Sequence, residues 1–136
     1  MRCTLIYSLS VAAVLMSGEA FAQGAKPIDL ETLSEEDLSD ILGPWQIRDT
    51  DDKKHCKVVL RQGQTIGGSE IEVDPGCAKA FPVMEEITAW RLTEGWSIDL
   101  VDAERHTRVH FETPDNSYVD MSDVDDIFTI ERMQSE

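Results

Sequence analysis

Histidine pairs and aspartate clusters are the residues of this chain with the chemistry to bind a metal. His106 and His110 stand four apart, the spacing at which two imidazoles on a helix share a face and can meet at one zinc ion. Here, however, Thr107, Val109 and Phe111 alternate with Arg108, His110 and Glu112, which is the period of a strand. On a strand, residues four apart share a face but lie about 13 Å from each other. Zinc ligands sit about 2 Å from the ion, so the pair reads as two surface histidines, with His55 as a third elsewhere in the chain. Asp120, Asp123, Asp125 and Asp126 invite comparison with a calcium loop. Such a loop needs Gly at its sixth place and Glu at its twelfth. Counted from Asp120 those places hold Asp125 and Glu131, so the pattern fails and the cluster reads as a polar turn between the last two strands.

No Gly-x-Ser-x-Gly, no glycine-rich phosphate loop and no nucleophile with an evident base occur. No catalytic residue, metal or cofactor is therefore assigned, and the chain reads as a binding protein and not as an enzyme.

The cysteines are Cys3, Cys56 and Cys77. Cys3 falls within residues 1–22, which read as a secretory signal. Arg2 gives a positive start, an apolar stretch runs from Leu5 to Met16, and Ala20-Phe21-Ala22 supplies the small-residue cleavage pattern. That stretch falls short of the about 20 apolar residues that span a bilayer. No Cys follows it to carry a lipid, so no membrane anchor is expected after cleavage near Ala22. The mature protein, from Gln23, is expected in the periplasm or outside the cell. Oxidising conditions and a small core favour a Cys56–Cys77 disulfide, with a stabilisation of roughly 3 kcal/mol on the chain-entropy model.

The net charge is −15, and the signal leaves it unchanged because Arg2 and Glu19 cancel. Nucleic acid and anionic lipid surfaces would repel such a protein, whereas a basic protein would be attracted. A monomer is expected.

The elements that would position any site are short. Gln23 to Pro27 has no periodic pattern and reads as a flexible tail. Leu30, Leu33, Leu38, Ile41 and Leu42 recur at near-helical spacing, and Ser34 with Asp37 resembles a capping box. This places a short helix over Ser34 to Ile41, within a lead of residues 23–42. From Gly43-Pro44 onward the period is two. About eight short strands follow over residues 43–136, among them Trp45–Arg48, Cys56–Arg61 ending in a turn at Gly63, Ile71–Val73, Ile87–Leu92 and Trp96–Val101. Gly76 to Met84 is irregular, with a helical turn at Cys77–Phe81. Evenly spaced strands with polar turns predict an all-β antiparallel barrel or sandwich. Trp45 and Trp90 are assigned to the core. Trp96, beside Gly95 at a strand entrance, fits either core or surface.

Several of these positions also occur together in a known family. Gly43-Pro44-Trp45 matches its G-x-W opening, Cys56 to Leu60 a Cys-led strand, and Cys77 the second bridge cysteine. Trp90 matches a tryptophan opening the second half, Ile98 to Asp102 an L-x-L-x-D strand, and Phe128 to Arg132 the last strand. Together they resemble the periplasmic alkaline-metalloprotease inhibitors of Gram-negative bacteria, which share this domain with an outer-membrane lipoprotein group. The resemblance implies a small eight-stranded lipocalin-like barrel with one disulfide. It also implies a secreted protease as partner, a zinc metalloprotease of the serralysin type, whose cleft receives the inhibitor's N-terminal tail as an extended strand. By position that tail is Gln23, Gly24, Ala25, Lys26 and Pro27. Two other readings stay open: an acidic envelope protein that binds a basic host-defence protein such as lysozyme, and a carrier of a small ligand in the barrel mouth.

Overall fold

The computed structural model describes residues 26–113 and 117–134. Residues 1–22, which read as a signal, Gln23, Gly24, Ala25 and residues 114–116 and 135–136 lie outside them. Helix α1 spans Glu35–Ile41. It starts where the sequence predicts, because the Ser34 hydroxyl accepts the Asp37 amide at 3.1 Å and Glu35, Glu36 and Asp37 stand in the first turn, where their charge complements the helix dipole.

Eight antiparallel strands follow: β1 (Gly43–Asp49), β2 (His55–Thr65), β3 (Gly68–Val73), β4 (Ile87–Thr93), β5 (Ser97–Asp102), β6 (Thr107–Glu112), β7 (Tyr118–Asp120) and β8 (Ile127–Arg132). They form a closed barrel in sequence order. Closure is made by β1 on β8, with Ile47 opposite Ile130. Period-two alternation turns Ile47, Val58, Ile98, Leu100, Val109 and Phe111 into the interior, where each is fully buried. Burying a side chain of this kind stabilises the fold by about 1.5–3 kcal/mol.

Both ends are plugged. At the end where β1 begins, α1 inserts Ile41, and the Trp45 indole donates to the Ile41 carbonyl at 2.9 Å. Tyr118 meets Trp45 edge-on at 5.4 Å between ring centroids, and Arg132 donates to the Asp40 carbonyl at 2.6 Å. At the other end, α2 (Cys77–Ala80) and a 3-10 turn (Pro82–Glu86) insert Phe81 and Met84. The Cys56–Cys77 disulfide fastens this plug to β2. Asp125, in the β7–β8 turn, accepts the Val83 amide at 2.6 Å. Trp45 and Trp90 are core residues, as expected.

The structure corrects the turn expected at Gly63. Strand β2 runs on to Thr65, with a register shift between Leu60 and Gln64, and the chain reverses at Ile66-Gly67, where Gly67 takes φ +91°. Gly63 lies within β2 beside the Glu70 carboxylate, the movable end of a side chain on β3. The β2–β3 hairpin then folds over the outside of the barrel. Arg91 Nε donates to the Gly67 carbonyl, and a Cβ on Gly67 would touch Val101 at 3.4 Å. The hairpin thus covers Val101, and every residue of β5 is buried although its sequence alternates.

Candidate functional site

The residues that lead into the barrel are held more firmly than their composition predicts. Strand β3 is registered with β4 at Ser69 opposite Trp90, which leaves the last residues of β4 open on that side. The N-terminal segment fills the opening. Ile28 donates to the Leu92 carbonyl at 2.7 Å and Glu94 donates to the Lys26 carbonyl at 2.9 Å, so Pro27 stands opposite Thr93 in an antiparallel bridge. In this pairing the bonds are made by the residues on either side of Pro27. Its missing N–H therefore costs nothing. Asp29 then accepts the Glu31 amide at 3.0 Å and turns the chain into a short 3-10 helix (Leu30–Thr32), with Leu30 buried against the core.

Lys26 and Pro27, expected in a flexible tail, are held on β4 by an isolated antiparallel bridge. The segment carries too few apolar residues to announce this. Its partner is an edge that exists only once the β2–β3 hairpin has swung away. Gln23, Gly24 and Ala25 lie outside the described residues.

The segment runs antiparallel to β4, so Lys26 is paired beside Glu94 at the start of the β4–β5 turn. That turn is Glu94-Gly95-Trp96, closed by Thr93 opposite Ser97. Gly95 and Trp96 take φ of +85° and +59°. No atom lies within 4 Å of a Cβ built on Gly95, so the tip projects. Trp96 is 38 % exposed, against 4 % for Trp45 and 0 % for Trp90; of the two placements its sequence allowed, the structure takes the surface.

The histidines do not converge. His106 sits in the β5–β6 turn and is exposed, and His55 contacts Asp52 at 2.7 Å on the surface. His110 differs from the free surface side chain expected. Its Nδ1 hydrogen-bonds the buried Asp99 carboxylate, and its Nε2 lies 3.1 Å from Glu112. Burial works against the imidazolium, but the hydrogen bonds to Asp99 and Glu112 outweigh it and raise the His110 pKa above the usual value. Among the described residues no three His, Cys, Asp or Glu side chains are grouped to hold a metal ion.

Asp102 is a buried carboxylate of another kind. It accepts the amides of His106 and Glu104, each at 2.9 Å. The His106 amide bond, outweighing desolvation, holds its pKa below the ordinary range. This carboxylate shapes a turn. The Asp120–Asp126 cluster is likewise the β7–β8 turn, with Asp123, Asp125 and Asp126 all at positive φ.

Compared with models of known protein families, residues 35–132 match the one described as protease inhibitor Inh. The match runs from the start of α1 to the end of β8 and leaves the paired segment Lys26–Ile28 ahead of it. No curated protein matches the chain.

Proposed function

The chain belongs to the protease inhibitor Inh family, and from that premise we propose that it blocks a secreted zinc metalloprotease of the serralysin type with the residues ahead of Lys26. Family membership makes its partner a protease and its role binding. The target class and the tail mechanism are our reading.

The observation that carries the mechanism is the pairing of Lys26 to Ile28 with Leu92 to Glu94. An inhibitory tail binds a cleft by strand-like main-chain hydrogen bonds. Its affinity suffers if the whole lead must be ordered on binding. Here the lead is held on the barrel from Lys26 onward by its pairing with β4. Cleavage after Ala22 would leave Gln23, Gly24 and Ala25 ahead of this root. These three residues would enter the cleft, with the new N-terminus nearest the metal. An N-terminal Gln can cyclise with loss of ammonia, which would remove the amine as a ligand. We place the protein in the periplasm or outside the cell, on the signal pattern of residues 1–22.

The test compares protein beginning at Gln23 with protein beginning at Lys26 against zinc, serine and cysteine proteases and against lysozyme, at two salt concentrations. Mass spectrometry establishes the natural N-terminus and whether Gln23 keeps its ammonia. Inhibition of the zinc enzyme should weaken by at least roughly 30-fold in the shorter form, the scale of one binding hot spot. Equal potency of the two forms rejects the tail mechanism. Inhibition confined to another protease class rejects the target. Steeply salt-sensitive binding to lysozyme alone would favour an acidic surface as the working part.

A further inference from the structure

We propose that the tip of the β4–β5 hairpin, with Trp96 as its anchor, is the second point of contact with the protease and docks on an apolar depression at the rim of the cleft. The inference rests on the reading that residues ahead of Lys26 enter that cleft.

Reach makes the first argument. Three extended residues span at most about 10 Å. A tail this short enters a cleft only if the rim of the cleft comes up to Lys26. Lys26 is hydrogen-bonded to Glu94, and Trp96 is two residues further along the same turn. The segment Lys26–Ile28 lies antiparallel to β4, so that Lys26 is its residue paired nearest this turn. Any surface close enough to receive the tail therefore meets the hairpin tip.

The chemistry of the tip makes the second. A hairpin turn with two successive residues at positive φ is most easily built from Gly, Asn or Asp. Position 96 instead holds Trp at φ +59°, a bulky residue in a conformation that disfavours it. Among the described residues Trp45 and Trp90 belong to the core, whereas Trp96 lies outside it and stays partly exposed. Tryptophan is the residue most characteristic of binding hot spots, because it covers a large apolar area with few rotatable bonds. The turn that presents it is tied on one side to β5 and on the other to the paired N-terminal segment. Tail root and anchor thus approach the protease as one body, with little ordering left to be done on binding.

Two substitutions separate this role from a structural one. Trp96→Asn keeps the left-handed turn and removes the indole, whereas Trp96→Phe keeps an aromatic ring. Inhibition by W96N should weaken by roughly 10-fold or more and inhibition by W96F by much less, with neither variant melting below the wild type. In protein labelled with 5-fluorotryptophan, the fluorine resonance of Trp96, assigned through W96F, should shift when the protease is added, while those of Trp45 and Trp90 stay in place. A folded W96N within twofold of wild type, or an unmoved Trp96 resonance in an inhibited complex, overturns the proposal and leaves the tail mechanism intact. A shift that appears on concentrating the inhibitor alone assigns the tip to a second copy of the chain and overturns it too. If the wild-type protein inhibits no protease, the proposed function fails first and this inference with it.

Discussion

His110 and Asp99 face each other across β6 and β5 as register partners, and the His110 imidazole hydrogen-bonds the Asp99 carboxylate. Thr107 supports the same carboxylate at 3.2 Å, and Ser122 accepts the His110 amide at 2.6 Å. The His110 pKa is raised in the folded protein. A group with a raised folded pKa stabilises fully below its unfolded value, near 6.5, and loses that contribution as the pH climbs through the folded value. Melting temperature should therefore fall as the pH rises above about 6.5. In His110→Gln that decline should be absent over the same window. A variant as steep as wild type would assign the pH dependence to other groups.

Removing the Cys56–Cys77 bridge should expose how much the β3–β4 plug depends on it. The two residues are 21 apart in sequence, so replacing both by Ser should cost about 3 kcal/mol on the chain-entropy model. Urea unfolding of the variant measures the loss. The circular dichroism of the strands should remain, because the bridge joins α2 to β2 and closes no sheet register.

The root of the tail is where function and stability part company. A protein beginning at Lys26 should unfold at the same urea concentration as one beginning at Gln23. A protein beginning at Asp29 loses the two hydrogen bonds to Leu92 and Glu94 and uncovers the end of β4. Two such bonds contribute about 1–3 kcal/mol together, and the midpoint should drop accordingly. Equal stability of the Lys26 and Asp29 forms would show that the pairing contributes nothing to the fold.

Trp90 combines packing with a hydrogen bond. It is fully buried, and its indole donates to the Arg61 carbonyl at 2.9 Å, across the point where β2 shifts register. Trp90→Ala should destabilise by about 3–5 kcal/mol through the cavity it leaves. Trp90→Phe should cost less but still lose the bond. Because Arg61 begins the part of β2 that folds outward, amide exchange in 61–69 should quicken in Trp90→Phe more than exchange in β6.

The sequence by itself determined the barrel strands, the short helix and the core tryptophans, because these depend on neighbours in the chain. Alternation in Trp45–Arg48 or Thr107–Glu112 shows which side faces inward, and Ser34 with Asp37 is a helix start within four residues. Cys56 and Cys77, as the cysteines left beyond the signal pattern, specified their own pairing, and the ordered motifs from Gly43 to Arg132 pointed to the family. What only the tertiary structure decided depends on register between distant strands. Gly63 reads as a turn until β2 is seen to run past it and carry its hairpin over Val101. Asp99 and His110 are ordinary outward residues until strand pairing sets them side by side. Lys26 and Pro27 have no pattern of their own, and they pair with β4 because β3 leaves the end of β4 uncovered. Local periodicity is written in adjacent residues, whereas an open strand edge is created by where two other strands diverge. For that reason the pairing of Lys26 and Pro27 with the end of β4 emerges from the folded barrel alone.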